Sequence, residues 1–202
     1  MWLDLESERT MLTEQLRSRD VVGGLRNCHA PGLHSLVLRE RPDGSLSRIF
    51  YTTPDHELDR LFSDSGHFTL GAHNHDKPLH FRVLYGTVLN VVVEPTLEGI
   101  PLWCYEFRSA LAGDQFYLGE PDPLRARVSL VNLHGLDLST DDIHTVLVSS
   151  RRAAWLVDEG PVQPVIKEIF SPRADLSLTR DGLYLPMDVA EACDEILMGL
   201  QQ

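Results

Sequence analysis

The sequence predicts an all-β sandwich or barrel with one helix at each end of the chain. Three observations predict it. Between residues 68 and 158, short runs rich in Val, Leu, Phe and Tyr recur at close intervals, separated by Gly, Pro, Asn and Asp turns. Upstream, the runs LHSLVLRE and LSRIFYTT flank Pro42-Asp43-Gly44, a hairpin signature. Helical spacing of apolar residues is confined to the two ends.

Residues 4–19 read as a helix, because Leu5, Met11, Leu12 and Leu16 recur at roughly helical spacing and charges fill the other face. Gly23 and Gly24 break it. The hairpin follows, then a short helical turn over 54–62 entered at Pro54. Strands are expected in FTLGAHNH, PLHFRVLYG, TVLNVVVEP, LWCYEFRS, RVSLVNL, DIHTVLVSS and RRAAWLVDE. GLYLP is a last strand-like piece before a closing helix over 187–200, with Val189, Cys193, Ile196 and Leu197 on one side. With no linker or repeat, the expectation is one domain over 1–202. It divides into a helical extension (1–32), a β-barrel (33–186) and the C-terminal helix (187–200).

Thirty acidic against 18 basic residues give a net charge of −12, which leaves no basic face for a phosphate backbone. Only two lysines occur, Lys77 and Lys167. No window is long and apolar enough to span a membrane, and MWLDLESERT is not a secretory signal. Cys28, Cys104 and Cys193 are scattered and odd in number, so no disulfide framework is expected and a cytoplasmic setting is the default. The expected partner is a small molecule, with nucleic acid and membrane excluded.

Histidine is the unusual feature. Nine are present, with His73, His75 and His80 close together. Strand side chains alternate, so His73 and His75 share a face and can grip one metal ion. His80 opens a returning strand that ends at Gly86. Well downstream, Asp141-Asp142 makes a turn and His144 sits second in the strand it introduces, which a closed barrel can lay beside the first.

These residues resemble the motifs of the cupin superfamily. His73-Asn74-His75 and Gly86 stand where its H-x-H and closing Gly occur, and Asp142-Ile143-His144 matches the D-x-H of its second motif. The resemblance covers roughly residues 68–158 and implies a double-stranded β-helix (jelly-roll) barrel, often dimeric. The family's metal-binding Glu falls on Leu79 counted back from Gly86, and on His80 counted forward from His75. The implied ligands are therefore three histidines (His73, His75, His144) or four, with His80. A three-histidine set resembles that of the thiol dioxygenases.

A divalent ion with open positions on imidazoles suits redox or Lewis-acid chemistry. Fe(II) leads, with zinc, manganese, nickel and copper as alternatives. The first expectation is thus an Fe(II)-dependent oxygenase or oxidoreductase acting on a small polar or carboxylated molecule. Arg82 would anchor the anion, and His80 or Tyr85 would donate a proton. The alternatives are a ligand-binding or sensing module with a structural metal, or a non-oxidative isomerase or lyase. A homodimer is expected, with the N-terminal helix and hairpin offering apolar surface to it. His29, His34, His56 and His67 are expected at the surface or in hairpins and His134 in a turn. Tyr105 and Trp155 are expected in the core.

Overall fold

The runs VLNVVV (88–93) and IHTVLV (143–148) carry apolar side chains on both faces, and this shapes the architecture: one face fills a barrel and the other meets a second sheet. The computed structural model describes residues 5–56, 58, 72–109, 116–175 and 182–201. In chain order the elements are α1 (Leu5–Ser18), β1 (Gly23–Arg26), β2 (Leu33–Glu40), β3 (Leu46–Thr52), β4 (Ala72–His73), β5 (Leu79–Tyr85), β6 (Val88–Thr96) and β7 (Ile100–Ser109). They continue with β8 (Phe116–Leu118), β9 (Asp122–Asn132), β10 (Leu136–Leu138), β11 (Ile143–Val148), β12 (Ala154–Glu159), β13 (Lys167–Ser171), β14 (Leu185–Pro186) and α2 (Val189–Leu200).

All strand pairings are antiparallel and form two seven-stranded sheets. One runs β10-β5-β12-β3-β2-β1-β14, the other β13-β4-β11-β6-β9-β7-β8. In the second sheet β13 also pairs β7, from Lys167↔Phe107 to Ser171↔Trp103, so six of its strands close into a barrel. Closure removes the exposed edges that an open sheet would present. The barrel has its own core, to which each of the six strands gives a buried side chain: Ala72, Val93, Leu102, Ala126, Ile143 and Phe170.

The outer face of one barrel wall packs on the open sheet. Val146 and Val148 of β11 and Val88 of β6 meet Leu33, Phe81 and Trp155 there. Alternation on β11 makes this double duty possible, since Ile143 points into the barrel and His144, Val146 and Val148 point toward the open sheet. The far face of the open sheet is covered by the helices, through Leu12 and Leu16 of α1 and Ala192, Cys193, Ile196 and Leu200 of α2. Because Leu12 and Leu16 are buried on the chain's own sheet, that stripe of α1 is not left over for a partner.

Both helices and the expected hairpin are present, and α2 starts where Asp188 caps it, its carboxylate accepting from Ala190 N at 2.8 Å. Gly44 closes the hairpin turn with φ of 79°. The segment 1–32 is not purely helical, however. Gly23–Arg26 forms β1, paired to β2 and β14. β8, β10 and β13 are additional strands, and the short β8 and β10 carry too little alternation to read. The segment 68–71 and most of the turn over 54–62 lie outside the described residues. No described helix is long and apolar enough to cross a membrane.

Gly86 links β5 to β6 with φ of 81°, and a Cβ there would stand 2.4 Å from the Arg152 carbonyl oxygen and 2.7 Å from Ala153 Cα. Both are backbone atoms that cannot swing aside. Gly86→Ala is expected to cost about 2–3 kcal/mol, read as a lower urea midpoint with an unchanged slope.

Candidate functional site

The site is built by strand register. His144 on β11 lies directly opposite His73 on β4, and opposed residues of an antiparallel pair share a face. Ile169 of β13 flanks His73 on the other side. β4 ends at His73, yet Asn74 keeps the chain on the sheet. Its amide nitrogen donates to Ile166 O at 2.8 Å, and its Oδ1 accepts from Glu168 N at 2.7 Å. His75 is thereby returned to the face of His73. The turn before β11 is held by Asp142, whose carboxylate accepts from Ser139 N at 2.6 Å and Ser139 Oγ at 2.8 Å.

The three rings gather closely. Their centroids are 4.6 Å apart for His73 and His75, 5.0 Å for His75 and His144, and 5.7 Å for His73 and His144. Asn90 Oδ1 accepts from His144 Nδ1 at 2.6 Å. That bond puts the proton on Nδ1 and leaves a lone pair on Nε2. His75 Nε2–H donates to this lone pair at 2.8 Å. As the side chains stand, no three His, Cys, Asp or Glu among the described residues are arranged to hold an ion. His75 and His144 turn their nitrogens toward each other instead.

A fourth imidazole joins them. His29 lies 5.9 Å from His73, ring centroid to centroid, and its Nδ1 is 2.8 Å from the Tyr184 hydroxyl. Both residues adopt left-handed backbone, with φ of 68° and 53°. Such conformations cost energy in non-glycine residues and gather at functional sites. Burial, and then the neighbouring imidazoles, push His75 and His144 well below the ordinary histidine range. Burial, His73 and Arg48 bring His29 down to about 3. His29, His75 and His144 are therefore neutral near pH 7, with their lone pairs free for a metal ion or a hydrogen bond.

These imidazoles line a cavity of about 340 Å³ between the open sheet and the barrel wall. Phe50 and Trp155, stacked at 5.8 Å and 20°, form part of its apolar wall with Phe81. Charged side chains also line it. Arg48 Nε is 2.6 Å from Glu159 Oε1, Lys77 Nζ is 3.1 Å from Glu159 Oε2, and Lys167 Nζ is 2.7 Å from Asp76.

The structure brings together His73, His75 and His144, but not the other residues the sequence singled out. His80 points to the opposite face of β5, where its Nδ1 meets Asp137 at 2.5 Å, and it does not line the cavity. The ambiguity of register is thus resolved in favour of Leu79, which faces the cavity. Arg82 shares the outward face with His80 and is paired with Glu8 of α1 and Asp158 of β12. Its charge is neutralised there, so it anchors no ligand in this cavity. Tyr85 lies beyond a bulge in the β5–β12 pairing, and its ring packs against Gly199 of α2. Burial raises its hydroxyl to about 12, far from the cavity and a poor proton donor. His80→Ala is expected to shift stability by less than about 1 kcal/mol and to leave metal and ligand retention unchanged, measured by urea unfolding and elemental analysis.

His29 and Tyr184 were missed, as was the charged lining. The signal for His29 was the turn-rich run Asn27-Cys28-His29-Ala30-Pro31-Gly32, which aims its side chain inward rather than to solvent. His34 is buried and accepts from Asn27 N at 3.1 Å, while His56 binds Ser150 O at 2.9 Å. Both are structural rather than surface residues. His134 is exposed in a turn before Gly135, and His67 lies outside the described residues. The three cysteines are unbridged. No protein-family model and no curated protein matches the chain.

Proposed function

We propose that the chain is a metal-dependent enzyme of cupin type, with His73, His75 and His144 holding one divalent ion in the cavity. The observation that carries this reading is the meeting of three imidazoles, one on β4, one just beyond it and one on β11, beside the aromatic wall of the cavity. The Nε2 atoms of His75 and His144 already face each other 2.8 Å apart, and with the proton between them released both would offer lone pairs to one ion. His73 would turn its nitrogen to the same point. The donor set fits.

A bound Fe(II) supplies the electron chemistry for using O₂, and an oxygenase or oxidoreductase acting on a small carboxylated molecule is the first reaction class. The chain's own residues do the rest. Asn90 would fix the His144 tautomer, Phe50, Phe81 and Trp155 would exclude water from the bound molecule, and neutral His75 and His144 would leave their lone pairs available. The H-x-H with Gly86, and the D-x-H at 142–144, support the cupin assignment on top of the all-β barrel.

A second reading has its own observation. The His75–His144 hydrogen bond satisfies both nitrogens without an ion, as a metal-free binding or sensing module would require. Anaerobic loading with Fe(II), desalting and elemental analysis separate the two. The wild type is expected to keep near one equivalent, and the His73→Ala/His144→Ala variant almost none. Oxygen uptake with small acids and thiols should follow the metal. A folded wild type that keeps no more metal than the variant removes the proposed centre. Turnover that needs metal but no oxygen would redirect the chemistry to isomerases and lyases.

A further inference from the structure

Among the described residues, the charges lining the cavity do not balance. Three cations, Arg48, Lys77 and Lys167, face it in a chain whose net charge is −12 and whose only lysines are these two. Lys167 is matched by Asp76 at 2.7 Å. Glu168 is turned away: it shares a strand face with Phe170 and accepts from Cys104 Sγ at 3.6 Å, on the barrel side. What remains is two cations on one carboxylate, Arg48 and Lys77 both on Glu159, with side chains 21%, 15% and 12% exposed respectively. Such a triad carries one positive charge more than its partners cancel, and a charge so enclosed calls for a counter-anion.

We propose that Arg48 and Lys77, joined through Glu159, form an anion-binding subsite, and that its ligand is a small organic monoanion, a carboxylate on a flat apolar body. Such a ligand presupposes the reading of the cavity as a substrate site, but it requires no ion. The apolar body is set by what lies beside the charge. Arg48 and Phe50 share a face of β3, with the guanidinium carbon 5.5 Å from the ring centroid, and Phe50 is stacked on Trp155. A carboxylate held bidentately by Arg48 would lay its body along that aromatic wall. About 340 Å³ accommodates a single ring with a short arm. One uncompensated charge selects a monoanion, because a second carboxylate would be enclosed without a partner. Arg48, Lys77 and the imidazoles line one and the same cavity, so the subsite and the histidines lie within one small molecule's reach.

Titration calorimetry on the full chain tests this, with phenylacetate as probe, phenylacetamide and benzylamine as neutral and cationic comparators, and metal content read alongside. Phenylacetate is expected to bind at least about tenfold more tightly than either comparator. Lys77→Met should weaken it about tenfold, and Glu159→Gln, which releases both cations, should tighten it. Because the two variants move affinity in opposite directions, loss of folding in one cannot imitate the result, and the gain in Glu159→Gln decides if Lys77→Met fails to fold. Equal binding of phenylacetamide, no binding of phenylacetate, or a Glu159→Gln variant that binds no more tightly overturns the subsite. A protein without metal that still selects phenylacetate sinks the ion and keeps the subsite. A metal-loaded protein indifferent to ligand charge does the reverse.

Discussion

Between pH 7 and pH 5 the metal-free protein is expected to lose roughly 4–6 kcal/mol of stability. The loss comes from histidines that are neutral when folded and titrate normally when unfolded. Burial lowers His75 and His144 well below their usual range and His29 to about 3. In the unfolded chain each returns to about 6.5. Below that value the unfolded state binds protons that the folded state refuses, so stability rises with pH across the window. It is fully present above about pH 6.5 and drains away as the pH falls toward the folded values. Each group contributes about 1.4 kcal/mol per pH unit in the steep region, or nearly 2 kcal/mol by pH 5. His34, also lowered by burial, acts in the same direction. The lowered carboxyls of Asp43, Asp55 and Asp175 act below about pH 4 and leave this window alone. Against a total of about 5–15 kcal/mol the effect is large enough to bring the fold near its limit. Urea midpoints at the two pH values measure it, and His75→Leu should remove about a third of the slope. A midpoint that does not move with pH would mean the imidazoles are protonated or solvated in the folded protein.

The histidine pair was legible because its chemistry is local. His73 and His75 share a face by the two-residue period of a strand, and His144 follows a turn built on Asp142, a type of turn the sequence announces. The pairing of β4 with β11 then needed only a closed barrel. His80 was ambiguous for the same local reason: a shift of one residue in register reverses every side chain, and no sequence pattern fixes a register across a loop. Arg82 carries a charge that is costly to bury unpaired, and it is paired. Its partners, Glu8 and Asp158, come from a helix and a neighbouring strand far along the chain, and they lie on the opposite face from the cavity. The same distance hid the charged lining. Arg48, Lys77 and Glu159 belong to β3, a loop and β12, and only the folded sheet makes them neighbours. Tyr85 shows a subtler limit, since the bulge opposite Ala154 and Trp155 changes its face without any mark in LHFRVLY.

Asn90 is the clearest case of a residue whose importance the sequence conceals, and Asn90→Leu is expected to weaken retention of the proposed divalent ion by about 10–100-fold. In VLNVVVEP it reads as a polar interruption of a strand. In the fold it is fully buried on β6, opposite Val146 of β11, with its Oδ1 2.6 Å from His144 Nδ1. An acceptor at that point holds the His144 proton on Nδ1, which keeps the Nε2 lone pair facing the site and fixes the plane of the ring. Leucine has nearly the same volume, so the sheet should persist, but it leaves a buried N–H without a partner and frees the ring to take the other tautomer. Asn90→Asp keeps an acceptor in place and should hold affinity within about threefold of the wild type. Competition against a chromophoric chelator reads the affinities directly, and far-ultraviolet circular dichroism checks the fold. Equal affinity in Asn90→Leu and wild type would show that His144 is oriented by its packing against Phe81, whose ring lies 5.5 Å away edge-on, rather than by the amide. A loss in Asn90→Leu that Asn90→Asp restores would tie the strength of the site to one hydrogen bond made behind it.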